Sequence, residues 1–154
     1  MLSEGDRVPD VTLVAMDGQT MSPADFSGHK LVLYFYPKDD TTGCTREAQD
    51  FTALAEEFGK VDAWILGVSK DSPAKHARFV DKYDLKVRLA TDPDGSVCEA
   101  FGTWIEKSLY GRKYIGIDRA TFLIDRDGTI RKIWRKVKVA GHAEQVLDAA
   151  RELA

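Results

Sequence analysis

A chain of 154 residues that is 44% apolar and 31% charged has the composition of an ordinary globular protein, and residues 1–154 predict a single domain with a real core. A net charge of −3 argues against binding to nucleic acid or another polyanion. No apolar run reaches membrane-spanning length, and the acidic start Met1-Leu-Ser-Glu-Gly-Asp6 has no apolar leader, so the expectation is a cytoplasmic chain with no membrane partner.

Val11 to Ala15 predicts a short strand, Asp17-Gly18 a turn, and Gln19 to Met21 a return strand, together an N-terminal hairpin. Ser22-Pro23 opens a helical turn to Phe26, with serine as cap and proline at the first position. Leu31 to Tyr36 is continuously apolar and rich in β-formers, as a strand buried on both faces is. A helix follows over Thr45 to Phe58 with Thr42 as its cap. Ala63 to Val68 predicts a second buried strand and Ser72 to Tyr83 a second long helix.

Val87 to Ala90 reads as a short strand, Asp92-Pro-Asp-Gly95 as a turn and Ser96 to Phe101 as a short helix. Ala120 to Asp125 and Thr129 to Trp134 flank an Asp-Gly turn, which predicts a hairpin. Gly141 to Leu153 predicts a last amphipathic helix burying Val146, Leu147 and Ala150. The basic run Arg131 to Lys138 reads as the solvated face of a late strand. The order β-β-α-β-α-β-α-β-α-β-β-α implies an α/β fold: a mixed central sheet with helices on both faces.

Cys44 stands out because it follows the turn Pro37-Lys-Asp-Asp-Thr-Thr-Gly43 and lies in the first turn of a predicted helix. Unpaired backbone N–H groups at a helix start favour thiolate over thiol, and the thiolate is the reactive form. The second cysteine, Cys98, is too distant for a CxxC pair or a zinc pattern. His29, His76 and His142 have no spacing suited to a base or a metal, and are expected at the surface; no metal or other cofactor is called for.

The run Phe35-Tyr-Pro-Lys-Asp-Asp-Thr-Thr-Gly-Cys-Thr-Arg-Glu47 resembles the peroxiredoxin signature, in the form of the peroxiredoxin Q or bacterioferritin-comigratory-protein subgroup. Gly67-Val-Ser-Lys-Asp-Ser-Pro73, Val97-Cys-Glu-Ala-Phe-Gly102 and Arg119-Ala-Thr-Phe-Leu-Ile-Asp125 extend the likeness over nearly the whole chain. The resemblance implies a thioredoxin-like fold and a thiol-dependent peroxidase acting on hydrogen peroxide and organic hydroperoxides through a sulfenic acid. It assigns Cys44 as nucleophile, Thr41 and Arg119 as partners of the thiolate and the peroxide, and Pro37 as a shield against water. Gly43 and Cys44 would supply backbone N–H groups to the substrate.

Two readings stand for Glu47, as an orienter of Arg119 or as a solvated first-turn carboxylate. Two also stand for Tyr36, as pocket lining or as core. The subgroup often carries a resolving cysteine five residues after the first, where this chain has Gln49, or on the next long helix, where it has none. Cys98 sits beside Val97 and Phe101 as a buried structural thiol does, with a resolving role as the alternative. The expectation is a one-cysteine cycle completed by thioredoxin, glutaredoxin or a low-molecular-weight thiol, in a monomer or a weak homodimer. A redox sensor or holdase is the competing function.

Overall fold

The computed structural model describes residues 1–154. Seven strands form one sheet in the order β2-β1-β5-β4-β3-β8-β9. They are β1 (Leu13–Ala15), β2 (Thr20–Met21), β3 (Lys30–Phe35), β4 (Ala63–Ser69), β5 (Arg88–Thr91), β8 (Ala120–Ile124) and β9 (Ile130–Trp134). β3, β4 and β5 run parallel, while β1, β8 and β9 pair antiparallel to their neighbours. The helices are α1 (Thr42–Ala53), α2 (Ala55–Lys60), α3 (Pro73–Tyr83), α4 (Ser96–Ala100) and α5 (His142–Glu152), with a 3-10 turn at Pro23–Phe26.

β3 divides the interior in two because its side chains alternate across the sheet. Val32, Tyr34 and Tyr36 face a core shared with Cys44, Phe51, Phe58 and Val146. Leu31, Leu33 and Phe35 face a second core with Cys98, Phe101, Phe122 and Ile130. Gly67 on β4 is part of this arrangement: a Cβ there would stand 2.7 Å from the Tyr34 ring, so glycine lets the tyrosine lie across the neighbouring strand. At the start of β3 the buried Lys30 ammonium donates to the carbonyls of Ala150 and Leu153, the last turn of α5.

Three expectations are corrected. The helix expected over Thr45 to Phe58 is two helices, because Leu54 leaves helical geometry (φ −102°, ψ 6°) and its N–H turns to the Phe51 carbonyl. Its cap is Thr41 rather than Thr42. Residues 104–117, which show no clear strand pattern in the sequence, form the separate hairpin β6 (Trp104–Leu109) and β7 (Arg112–Ile117). Its turn is Tyr110-Gly111, both at positive φ, in place of the usual Asn-Gly or Asp-Gly, and Tyr110 is 98% exposed. The basic run behaves as expected at Arg131 and Lys132, which are exposed on the edge strand β9. Arg135 instead folds back to donate to the carbonyls of Phe101 and Gly102.

Candidate active site at Cys44

β3 ends at Phe35, and the loop from Tyr36 to Thr41 delivers the chain to the start of α1. Cys44, Glu47, Ala48 and Phe51 lie one helical turn apart and form the buried face of α1. Cys44 is 2% exposed. Arg119, between β7 and β8, reaches the same point from the far side of the sequence. Its Nη2 lies 3.5 Å from Cys44 Sγ and its Nη1 donates to Glu47 Oε1 at 2.7 Å. A Cβ at Gly43 would stand 3.1 Å from Arg119 Nη2, so the absence of a side chain there opens the approach of the guanidinium to the sulfur.

The charges around this contact are unequal. Burial pushes the Glu47 carboxyl up to about 7, against the opposing pull of Arg119. Its second oxygen, Oε2, has no partner in the interior. Burial also works against the charge of Arg119, but Glu47 and Cys44 outweigh it and hold the guanidinium above its ordinary value. The arrangement places one fixed cation between a buried carboxyl and a sulfur, within reach of both.

The remaining expected residues take distinct positions. Thr41 is exposed, and its hydroxyl donates to the Lys38 carbonyl at 2.8 Å rather than to the thiol, which leaves its lone pairs open. Pro37 is exposed at the rim of the loop. Tyr36 belongs to the interior: its hydroxyl donates to Asp39 Oδ1 at 2.5 Å and lies 3.3 Å from His76 Nδ1, so it is engaged away from a substrate. Glu47 is buried on the inner face of α1, not solvated, and touches Arg119.

Cys98 lies on α4 in the second core, with the sheet between it and Cys44. It is 0% exposed, and burial together with Asp92 pushes its thiol up to about 12. Both cysteines are free, and Gln49 is exposed on α1.

Two of the three histidines are not at the surface. Only His29 is exposed, paired with Asp62 at 2.8 Å. His76 is completely buried against Asp39 at 2.7 Å. His142 is buried 2.8 Å from Thr121 Oγ1, and burial, then Arg119, pushes its imidazole down to about 4. The sequence carries no local sign of these sites, because each partner lies at least 14 positions away.

A cleft of about 520 Å³ between the β1–β2 hairpin and Trp64 is lined in part by His29 but by none of Cys44, Thr41, Glu47 and Arg119.

No helix is long and apolar enough to cross a membrane. The family model described as AhpC/TSA family matches residues 4–133. A protein named putative peroxiredoxin bcp from Coxiella burnetii is 46% identical over 143 residues, which is 93% of this chain and 95% of the relative. Peroxiredoxin Bcp of Bacillus subtilis is 44% identical over 149 residues, 97% of this chain and 95% of its own. Among solved structures, a cysteine-to-serine mutant of Xanthomonas campestris Peroxiredoxin Q superposes with a TM-score of 0.88 at 46% identity, covering 94% of this chain and 92% of that one. With a thioredoxin-like sheet and likeness of this extent, the chain belongs to the AhpC/TSA family as a peroxiredoxin of the Bcp or Q type, a thiol-dependent peroxidase.

Proposed function

We propose that Cys44 is the nucleophile of this peroxidase, that it reduces hydrogen peroxide and organic hydroperoxides, and that an external thiol regenerates it. The observation that carries this reading is the approach of Arg119 Nη2 to Cys44 Sγ at 3.5 Å, with the same guanidinium anchored on Glu47. That cation faces the negative charge that grows as the O–O bond breaks. The thiolate attacks one peroxide oxygen. An S–O bond forms, the O–O bond breaks, and the second oxygen leaves as hydroxide or alkoxide and takes up a proton.

Thr41 offers its free lone pairs to the peroxide O–H, because its own hydrogen is committed to Lys38. The N–H groups of Gly43 and Cys44, in the first turn of α1, have no partner within the helix and donate to the substrate. Pro37 screens the sulfur from water. Glu47 works through Arg119, and Tyr36 supports the loop from below.

The setting of Cys98 supports a one-cysteine cycle. The sheet separates the two thiols, the Cys98 thiol is pushed up to about 12, and neither position 49 nor α3 supplies a cysteine. The sulfenic acid on Cys44 then requires thioredoxin, glutaredoxin or a low-molecular-weight thiol. Cys44, Glu47 and Arg119 come from one chain, so a monomer holds a complete site. A cytoplasmic setting suits two unpaired cysteines.

Oxidation by one equivalent of peroxide, followed by intact mass measurement, tests the reading. Wild type gains one oxygen, and Cys44→Ser gains none. Loss of two hydrogens in wild type, abolished in Cys98→Ser, overturns the one-cysteine cycle; an unreactive wild type overturns the assignment of Cys44.

A further inference from the structure

The closed site poses a problem for the second half of the cycle, on the reading that an external thiol resolves Cys44. That thiolate must attack the Cys44 sulfur in line with the S–O bond. An S–S bond forms, the S–O bond breaks, and the hydroxide leaves as water with the proton from the reductant's thiol; the reductant is oxidised. A sulfur that is 2% exposed gives a second thiol no such path. A peroxide needs far less room. The first turn of α1 must therefore open for the reductant and not for the peroxide.

The loop that leads into this turn is fastened to one neighbour. Asp39 is buried, with Oδ2 2.7 Å from His76 Nδ1 on α3 and Oδ1 accepting from Tyr36 at 2.5 Å. His76 Nε2 lies 3.1 Å from the Ala90 carbonyl on β5, so the histidine is itself held at both nitrogens. The Asp39 N–H donates to Asp71 at 2.8 Å, in the lead-in to α3, and Lys75 holds the other oxygen of Asp71 at 2.9 Å. The next residue, Asp40, adopts φ +60°, an uncommon conformation for a residue other than glycine. Its two oxygens accept from Lys82 at 2.8 Å and Tyr83 at 2.5 Å, both on α3.

We propose that Asp39 and Asp40 are positioning residues for the reductive half-reaction: their contacts with His76, Lys82 and Tyr83 set how often the first turn of α1 opens, and so how fast an external thiol reaches Cys44. The oxidative half-reaction does not depend on this opening. A tighter clamp also lengthens the time the sulfenic acid spends in the closed site, where a second peroxide converts it to sulfinic acid.

Asp40→Asn and Tyr83→Phe test this on the surface, where neither threatens the fold, and Asp39→Asn tests it in the interior. Asn tolerates the left-handed backbone at position 40. Stopped-flow measurements follow peroxide oxidation and dithiothreitol reduction separately, and amide exchange follows Thr45, whose N–H bonds the Thr41 carbonyl across that turn at 2.8 Å. In the two surface variants, reduction is expected to quicken about 3- to 10-fold and Thr45 exchange to rise with it, while oxidation stays within about twofold. Asp39→Asn is expected to give the larger of these increases. Unchanged reduction in the surface variants overturns the proposal, whatever happens to exchange, and so does an equal slowing of oxidation. If instead wild type forms a Cys44–Cys98 disulfide, the external-thiol reading fails, while Thr45 exchange still reports whether the clamp controls the turn.

Discussion

The two faces of the central sheet each bury one cysteine, and they treat it in opposite ways. On one face Cys44 stands at a helix start with a guanidinium against its sulfur and a mainly polar loop above it. On the other, Cys98 is enclosed by Val97, Phe101 and Phe122, and its nearest charge is the carboxylate of Asp92, which accepts the Cys98 N–H at 2.9 Å. Burial is nearly the same for both thiols. What separates them is the sign of the neighbouring charge and the loop that leads into the helix start at Cys44. Depth alone does not make a cysteine inert, because reactivity depends on the charges beside the sulfur.

Removing the cation is the sharpest way to break this contrast. Arg119→Ala is expected to slow Cys44 oxidation about 100-fold in stopped-flow measurements, the loss typical of one oriented donor at a developing anion. A rate within a few-fold of wild type would mean that the helix start alone activates the sulfur. The opposite face gives a smaller effect of another kind. Cys98→Ala is expected to leave peroxide turnover unchanged and to lower unfolding free energy by about 1 kcal/mol in denaturant titrations, the cost of a small void in a packed core. A fall in turnover with stability intact would place Cys98 in the cycle.

The smallest effect concerns pH. The buried Glu47 carboxyl has a folded value near 7, above its ordinary 4.5. A carboxyl raised in this way contributes stability that is complete below pH 4.5 and is lost as pH rises through 7. The melting temperature of wild type relative to Glu47→Gln is therefore expected to fall across that window. A constant difference would show that Arg119 holds Glu47 ionised throughout, and that the two faces differ less in buried charge than the geometry implies.

Much of the fold is legible in the chain because each long element has a strong local pattern. Leu31 to Phe35 is apolar at every position, and Ser72-Pro73 marks a helix start without help from the rest of the molecule. The β6–β7 hairpin escapes such reading because its turn is Tyr-Gly and its strands mix Glu, Lys and Arg with Ile and Tyr, in a pair that stands apart from the main sheet. At the site, Cys44 stands out by its place at a helix start, while Thr41 and Arg119 are named through the resemblance. The placement of Glu47 is not, since a first-turn carboxylate reads equally well as solvated until Arg119 arrives from 72 positions away. The buried histidines fail for the same reason: what satisfies His76 is Asp39, 37 positions earlier, and no periodicity reports a contact of that separation.

Lys30 gives the central strand a second duty. The strand that ends in the loop before Cys44 begins with an ammonium that closes off the final turn of α5, through the carbonyls of Ala150 and Leu153. The last residues are therefore part of the core's hydrogen-bonding economy rather than a loose tail. A chain cut before Leu153 would strip a buried cation of one of its two acceptors, whereas an extension beyond Ala154 adds to a residue that is exposed. For anyone building fusions, the carboxyl end is a place to append and not a place to trim.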